Sequence, residues 1–181
     1  MGGWVETNVR AHLPGLKTSK LLSLRAAVIR RAALRRAGAK LVLTNGVFDL
    51  LHPGHTSYLA RARRLAGRKG RLYVALNSDR SVRQLKGPRR PVLDQLSRAF
   101  NLAQLESVDG IVIFDRPRLT REIAALRPDI YAKAGDYSMT TLHSEEKAAL
   151  ARVGARIKFL PFLAGFSTTD LIKRINRARG R

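Results

Sequence analysis

The sequence predicts an α/β fold, a doubly wound parallel sheet of five strands preceded by an N-terminal helical extension. Three observations predict it. Short apolar runs alternate with longer amphipathic segments along the chain. No hairpin signal joins the apolar runs, so consecutive strands are expected to be parallel. The 181 residues are 45% hydrophobic and 27% charged, which is the composition of a folded globular domain.

The elements follow in order from the periodicity. A first helix is expected over residues 23–37, where the apolar stripe ends at Gly38. The buried-strand pattern then predicts strands at 41–44, 71–77, 110–114, 129–133 and 156–160. Helices are predicted near 53–67, 92–106, 118–126, 143–152 and 168–178. We expect residues 1–40 to form a basic extension with one helix and residues 41–178 to form the domain, with ligands beyond the carboxyl ends of its strands.

Composition excludes several classes of protein. The absence of cysteine excludes disulfides, thiol nucleophiles and thiolate metal sites. The apolar runs are too short to span a bilayer, and residues 1–20 lack the apolar core of a signal peptide. A cytoplasmic protein without a membrane span is therefore expected.

The charge is unusual. The net charge is +22, and its excess is concentrated in residues 1–40 and 173–181. Such a balance predicts attraction to polyanions. Aromatic residues are only 6% and no RNA- or DNA-binding motif is visible, so specific nucleic-acid binding is not expected. A non-catalytic polyanion-binding protein remains an alternative, which a salt-sensitive affinity for RNA without catalysis would favour.

The strongest motif is Thr44–His55, TNGVFDLLHPGH, which follows the first strand and opens a helix. Pro53 suits the first helical turn, where free N–H groups and the helix dipole favour a phosphate. Gly54 leaves room for an anion to approach the backbone. His52 and His55 can both face that anion. A metal half-site is the alternative, and the presence of only four histidines and no cysteine argues against zinc.

This segment resembles the signature of the HxGH nucleotidyltransferase superfamily, in its cytidylyltransferase-like branch. The resemblance implies a Rossmann-like fold and transfer of a nucleotidyl group from a nucleoside triphosphate to a phosphorylated acceptor. It also implies that His52 and His55 contact the triphosphate and stabilise charge as pyrophosphate leaves. Asp49 is expected to orient a histidine or a loop rather than to bind magnesium. The nucleotide pocket would be lined by Thr44, Asn45, Phe48 and Gly54.

The segment after the second strand adds further candidates. Asn77 and Asp79 end that strand and are expected to bind the nucleotide. By the resemblance, Lys86 is a catalytic lysine on a mobile Gly/Pro-rich loop that closes over the phosphates. A solvated basic loop is the alternative interpretation. Arg98, in the next helix, either joins the phosphate clamp or pairs with a carboxylate.

Two later motifs complete the predicted site. Gly135, Asp136 and Tyr137 resemble the family's element near the acceptor. Ser167, Thr168 and Thr169 resemble its triplet that holds the triphosphate, at a helix N-terminus with free N–H groups. The alternative for this triplet is a capping box between Ser167 and Asp170 alone.

Within the superfamily, residues 76–92 and 133–137 are most similar to the heptose 1-phosphate adenylyltransferase domain of ADP-heptose synthase. This implies transfer of AMP from ATP to D-glycero-β-D-manno-heptose 1-phosphate, with pyrophosphate released. Mg²⁺ would bind mainly through the nucleotide phosphates and not at a protein metal site. The alternative is a cytidylyltransferase using CTP and glycerol 3-phosphate. Phe162 and Asp170 stand where that subgroup has arginine and lysine. Family members are often dimers, which makes a homodimer possible.

Overall fold

The computed structural model describes residues 18–135, 138–161, 163 and 165–179. Five parallel strands form one sheet: β1 (Leu41–Gly46), β2 (Arg71–Asn77), β3 (Gly110–Phe114), β4 (Ile130–Ala134) and β5 (Arg156–Leu160). Their order across the sheet is β3-β2-β1-β4-β5. The predicted doubly wound, Rossmann-like α/β fold is confirmed, and each predicted strand lies within two residues of an observed one.

Helices follow or precede every strand. They are α1 (Leu24–Arg36), α2 (Pro53–Leu65), α3 (Asp79–Lys86), α4 (Gln95–Ala103), α5 (Thr120–Leu126), α6 (Ser144–Val153) and α7 (Thr168–Arg179). All except α3 were predicted. Within the described ranges, no helix has the length and apolar character needed to cross a membrane.

Helix α3 corrects the prediction that Lys86 lies on a loop. The Ser78 hydroxyl caps this helix by accepting a hydrogen bond from the Ser81 backbone N–H at 3.1 Å, and Val82 is buried beneath it. Gly87, with φ of 91°, ends it. Lys86 is therefore the last residue of a helix. The Gly/Pro-rich segment begins at Gly87, directly after this residue. Because helix-breaking residues follow so closely, the sequence pattern did not predict the short helix before them.

The sheet separates two apolar cores. One core packs β1 and β2 against α2 and α4, and includes Tyr58, Leu59 and Leu102. The other packs the opposite face against α1, α5 and α6, and includes Ile123 and Leu150. Burial on both faces explains why β1 to β4 are nearly continuous buried runs, whereas the edge strand β5 exposes Arg156 and Lys158.

The segment before β1 packs against the same sheet. The Leu22 N–H donates to the Ile111 carbonyl at 2.8 Å, so this stretch runs beside β3. In α1, the buried Arg31 donates to the carbonyl oxygens of Leu126, Ala39 and Arg127 and pairs with Asp129 at 3.0 Å. One helix of the basic N-terminal region thus contributes both apolar and charged contacts to the core.

The strand order places a cleft at the carboxyl ends of β1 and β4. From β1 the chain proceeds to β2 and β3 on one side, and later returns to β4 and β5 on the other. The connecting segments therefore leave the sheet in opposite directions between β1 and β4. Ligands of open α/β sheets bind at such a switch point.

Candidate functional site

The N-terminus of α2 carries the paired histidines. His52 is the N-cap residue and Pro53 follows it at the first helical position. The His52 and His55 rings stack with centroids 3.8 Å apart and an interplanar angle of 22°. Burial lowers the pKa of His52. Burial, and then the charge of His52, lower the pKa of His55 to about 4. Burial therefore favours the neutral form of both rings near pH 7.

A strained turn between β1 and α2 positions Phe48. Phe48 has φ of 46°, a left-handed conformation that is uncommon outside glycine. Its ring lies 5.2 Å from that of His55. The same ring lies against Gly46, where an added Cβ would be 2.8 Å from Phe48 Cε2. Gly46 thus allows Phe48 to support His55.

Asn45 is held by two residues of β4. Its Oδ1 accepts hydrogen bonds from the Tyr131 hydroxyl at 2.8 Å and from Lys133 Nζ at 2.7 Å. Burial lowers the pKa of Lys133, and the charge of Glu146 acts against that effect. Lys133 is a functional candidate that the sequence reasoning missed. The feature of the sequence that could have indicated Lys133 is its position near the carboxyl end of an apolar strand.

Thr44 and Asp49 serve the scaffold around the site. The Thr44 and Tyr58 hydroxyls form a buried hydrogen bond of 2.7 Å. Asp49 accepts from Arg90 Nε at 2.8 Å and from the backbone N–H groups of Val92 and Leu93 at 2.9 and 3.0 Å. Asp49 therefore orients the loop between α3 and α4, one of the two roles expected for it.

Arg98 pairs with a carboxylate, which is one of the two roles considered for it. Its side chain is fully buried and donates to Asp79 Oδ1 and to the Val47 carbonyl, both at 2.7 Å. It also donates to the Leu93 carbonyl at 3.0 Å. This network ties α3 and α4 to the turn that carries Phe48. Direct nucleotide contact by Asp79 or Arg98 stays a prediction.

The N-terminus of α7 lies beside that of α2. The Ser167 hydroxyl accepts from the Asp170 N–H at 3.0 Å and donates to the Asp170 carboxylate at 2.7 Å. Ser167 therefore caps α7 as the sequence indicated, although the Asp170 carboxylate bonds its hydroxyl and not its backbone N–H. The rings of Phe166 and His52 stack with centroids 6.5 Å apart. Two helix N-termini thus converge on one region, where their dipoles favour an anion.

A cavity of about 570 Å³ opens at this convergence. Seven of the predicted residues line it: Asn45, Phe48, His55, Asn77, Lys86, Thr168 and Thr169. The other predicted residues that the structure describes lie outside its lining, namely Thr44, His52, Gly54, Asp79, Arg98, Gly135 and Ser167. His52 nevertheless contacts the cavity wall through His55. Asp136 and Tyr137 fall outside the described residues.

The cavity has a second wall that the sequence reasoning missed. Its residues come from the end of β3 and from the segment that leads into α6: Phe114, Pro117, Arg118, Thr141, Leu142, His143 and Glu146. They are distant in sequence from the recognised motifs. A charged residue following an apolar strand, such as Arg118 after β3, was the only local signal.

The described residues do not assemble a metal site. Among them, no three histidine, aspartate or glutamate side chains group together as metal ligands. The cavity instead gathers cationic side chains, Lys86, Arg90, Arg118 and Lys133. This arrangement suits a polyanionic ligand that carries its own counterion.

Comparisons with known proteins agree with this geometry. The sequence model of the cytidylyltransferase-like family matches residues 43–174. The bifunctional protein HldE of Halorhodospira halophila is 47% identical over 154 residues, which are 85% of this chain and 31% of that protein. HldE of Yersinia pestis is 44% identical over 149 residues, 82% of this chain and 30% of that protein. The chain thus spans less than a third of the length of these relatives.

A solved structure is similar as well. The lipopolysaccharide core biosynthesis protein from Thermoplasma volcanium superposes with a TM-score of 0.56 and 25% sequence identity, covering 70% of this chain and 98% of that one. The family match spans both histidines, Lys86 and the Ser-Thr-Thr triplet, the same segments that converge on the cavity. This chain belongs to the cytidylyltransferase-like family.

Proposed function

We propose that this chain is a nucleotidyltransferase that transfers AMP from ATP to D-glycero-β-D-manno-heptose 1-phosphate, releasing pyrophosphate and forming an ADP-sugar. One observation carries the proposal: two helix N-termini, the stacked His52–His55 pair and the cationic side chains converge on a single cavity. The identity of 44–47% to the HldE relatives over the aligned residues supports the heptose acceptor. Residues 41–178 are proposed as the catalytic domain, acting in the cytoplasm, where ATP is available.

The reaction requires alignment of the two substrates and neutralisation of the charge on the phosphates, and it needs no covalent intermediate with the protein. An oxygen of the acceptor's phosphate attacks the α-phosphorus, and the bond from that phosphorus to the β-phosphate oxygen breaks. The attacking phosphate is already anionic near neutral pH, so it needs no general base. Negative charge therefore accumulates on the departing pyrophosphate, and its stabilisation lowers the barrier.

The chain's own residues divide this work. His55 and Lys86, with His52 stacked behind His55, are proposed to contact the triphosphate. Thr168 and Thr169, with the free N–H groups of α7, hold its far end. Protonation of the neutral imidazoles becomes favourable as charge grows beside them, which offsets the burial that lowers their pKa values.

Magnesium is proposed to arrive bound to the nucleotide. Asp49 already accepts three hydrogen bonds, and the described residues form no group of carboxylates and histidines for a metal. Mg²⁺ on the phosphates would neutralise charge on the triphosphate. No further step depends on a protein ligand to it.

The test is pyrophosphate release from the purified chain with Mg²⁺ and either ATP or CTP. Heptose 1-phosphate and glycerol 3-phosphate are compared as acceptors. Release with ATP and heptose 1-phosphate is expected. Release only with CTP and glycerol 3-phosphate would contradict the proposal, as would the absence of release from folded protein.

A further inference from the structure

The cavity has two chemically different sides. One side is built by α2 and α7, which contribute His55, Thr168, Thr169 and the N–H groups of two helix N-termini, and α2 packs on one face of the sheet. Its other side is built by the N-terminal turn of α6, which packs on the opposite face. That second side contains a carboxylate, Glu146, although the rest of the cavity suits phosphates. Like charges repel strongly in a poorly solvated cavity, so a phosphate is not expected to bind against Glu146.

Glu146 is held in a defined position. Its side chain is buried, with a relative exposure of 7%, and it lines the cavity. Oε1 accepts a hydrogen bond from the Leu119 backbone N–H at 3.2 Å. Oε2 accepts no hydrogen bond from the described residues, and the positive charge of Lys133 keeps the carboxylate electrostatically balanced. A carboxylate with one oxygen engaged and the other available is preorganised to accept hydrogen bonds from a ligand.

The neighbours of Glu146 match a hydroxyl-rich ligand. Thr141, His143 and Arg118 contribute further polar groups to this side, while Phe114 and Leu142 contribute apolar surface. A site of mixed apolar walls with a few directed polar groups binds small molecules of defined orientation. A sugar ring has this mixed character, with apolar C–H faces and hydroxyls at its edge.

We propose that Glu146 accepts hydrogen bonds from hydroxyls of the acceptor's sugar ring, and so selects a polyhydroxylated acceptor. This inference rests on the proposed function, which supplies the phosphate carried by the same acceptor. A ligand without those hydroxyls leaves Glu146 Oε2 without a hydrogen bond in a buried site. A site built to hydrogen-bond a hydroxyl therefore discriminates strongly against such a ligand.

The test compares Glu146→Gln with Glu145→Gln. Glutamine keeps an oxygen that can accept from the Leu119 N–H and has nearly the same volume. It lacks the negative charge that makes a carboxylate a strong acceptor of hydrogen bonds from hydroxyls. Glu145 is the adjacent carboxylate of the same helix turn and is exposed, so its variant controls for helix charge. Calorimetry would measure the Kd of heptose 1-phosphate, of a panel of other sugar 1-phosphates, of inorganic phosphate and of Mg²⁺–ATP. Turnover assays would give KM and kcat for the proposed substrates.

The expected result is selective. Glu146→Gln should weaken sugar 1-phosphate binding, and raise its KM, by about tenfold or more. Binding of inorganic phosphate and Mg²⁺–ATP should stay within about twofold, and Glu145→Gln should match the wild type. Equal loss for all ligands, or no loss for any, would overturn the inference.

The two proposals fail in distinguishable ways. Wild-type turnover of heptose 1-phosphate with no effect of Glu146→Gln overturns the role of Glu146 and leaves the proposed function standing. Absence of wild-type turnover with Glu146-dependent binding of another sugar 1-phosphate overturns the function and supports the role of Glu146. Absence of any sugar 1-phosphate binding by the wild type overturns both.

Discussion

Lys133 Nζ and Asn45 Oδ1 lie 2.7 Å apart and join the carboxyl ends of β4 and β1 across the switch point of the sheet. The Tyr131 hydroxyl donates to the same oxygen. With its oxygen occupied twice, the Asn45 side chain has its amide N–H groups available as donors to a ligand. The pair therefore determines which hydrogen-bonding group Asn45 offers at the base of the cavity.

Replacing Lys133 with methionine tests this relationship. Lys133→Met should lower kcat/KM by about tenfold or more, because a charge-assisted hydrogen bond contributes about 1.5–3 kcal/mol. Lys158→Met, on the exposed surface of β5, is the matched control and should leave turnover unchanged. Measurement of pyrophosphate release for both variants checks the prediction. Equal rates for the two would show that Lys133 has no part in the site.

Removing the His55 imidazole should abolish most of the activity. His55→Ala should lower kcat by about 100-fold or more, because a preorganised group that faces developing charge is lost. Urea unfolding should show that the variant still folds cooperatively. Wild-type turnover by a folded His55→Ala protein would exclude a phosphate-contact role.

Lys86 and Arg83 provide a comparison within one helix. Both side chains of α3 are exposed, but only Lys86 lines the cavity. Lys86→Ala should lower kcat by about tenfold or more if its charge acts on the phosphates, since such electrostatic contacts dominate phosphoryl transfer. Arg83→Ala should have little effect. If both variants lose activity equally, the general charge of the helix is responsible instead.

Gly46 should not tolerate a side chain. In Gly46→Ala the new Cβ would meet Phe48 Cε2 at 2.8 Å, and the buried ring would have to move away from its place beside His55. We expect a loss of about 1–3 kcal/mol in the free energy of unfolding, together with reduced turnover. The double variant Gly46→Ala/Phe48→Leu removes the ring edge and should recover part of the stability. If the double variant recovers no stability, the contact between the new Cβ and the Phe48 ring is not the cause of the destabilisation.

Stability should fall as the solution becomes acidic between about pH 6.5 and 4. The pKa of His55 is about 4 in the folded protein and 6.5 when unperturbed. In this range the unfolded state binds a proton that the folded state rejects, so lowering the pH favours unfolding. The contribution of His55 is up to about 3 kcal/mol. Denaturant unfolding at several pH values should show a shallower dependence in His55→Gln than in the wild type. An identical dependence would contradict the burial of this imidazole.

Local features of the sequence were sufficient for the strands, most helices and the residues around His52 and His55. Strands β1 to β4 are mainly apolar runs because helices cover both faces of a parallel sheet, and that burial is visible in composition alone. The short helix α3 was missed because its stability depends on the Ser78 cap and the buried Val82, in a segment next to Gly87 and Pro88. The cap is a local signal, but the burial of Val82 depends on the tertiary packing.

The sequence by itself determined the fold class, because alternating apolar runs and amphipathic segments are local patterns. It also located the segment around His52 and His55 that we propose binds phosphate. Only the tertiary structure decided which polar residues share the cavity. It buried Arg98 against Asp79, and it brought Lys133 to Asn45 and Glu146 to the cavity wall. These partners are separated by many residues in the chain. Lys133 meets Asn45 because the strand order places β4 beside β1. Glu146 reaches the same cavity because the connections from both faces of the sheet end at its carboxyl edge.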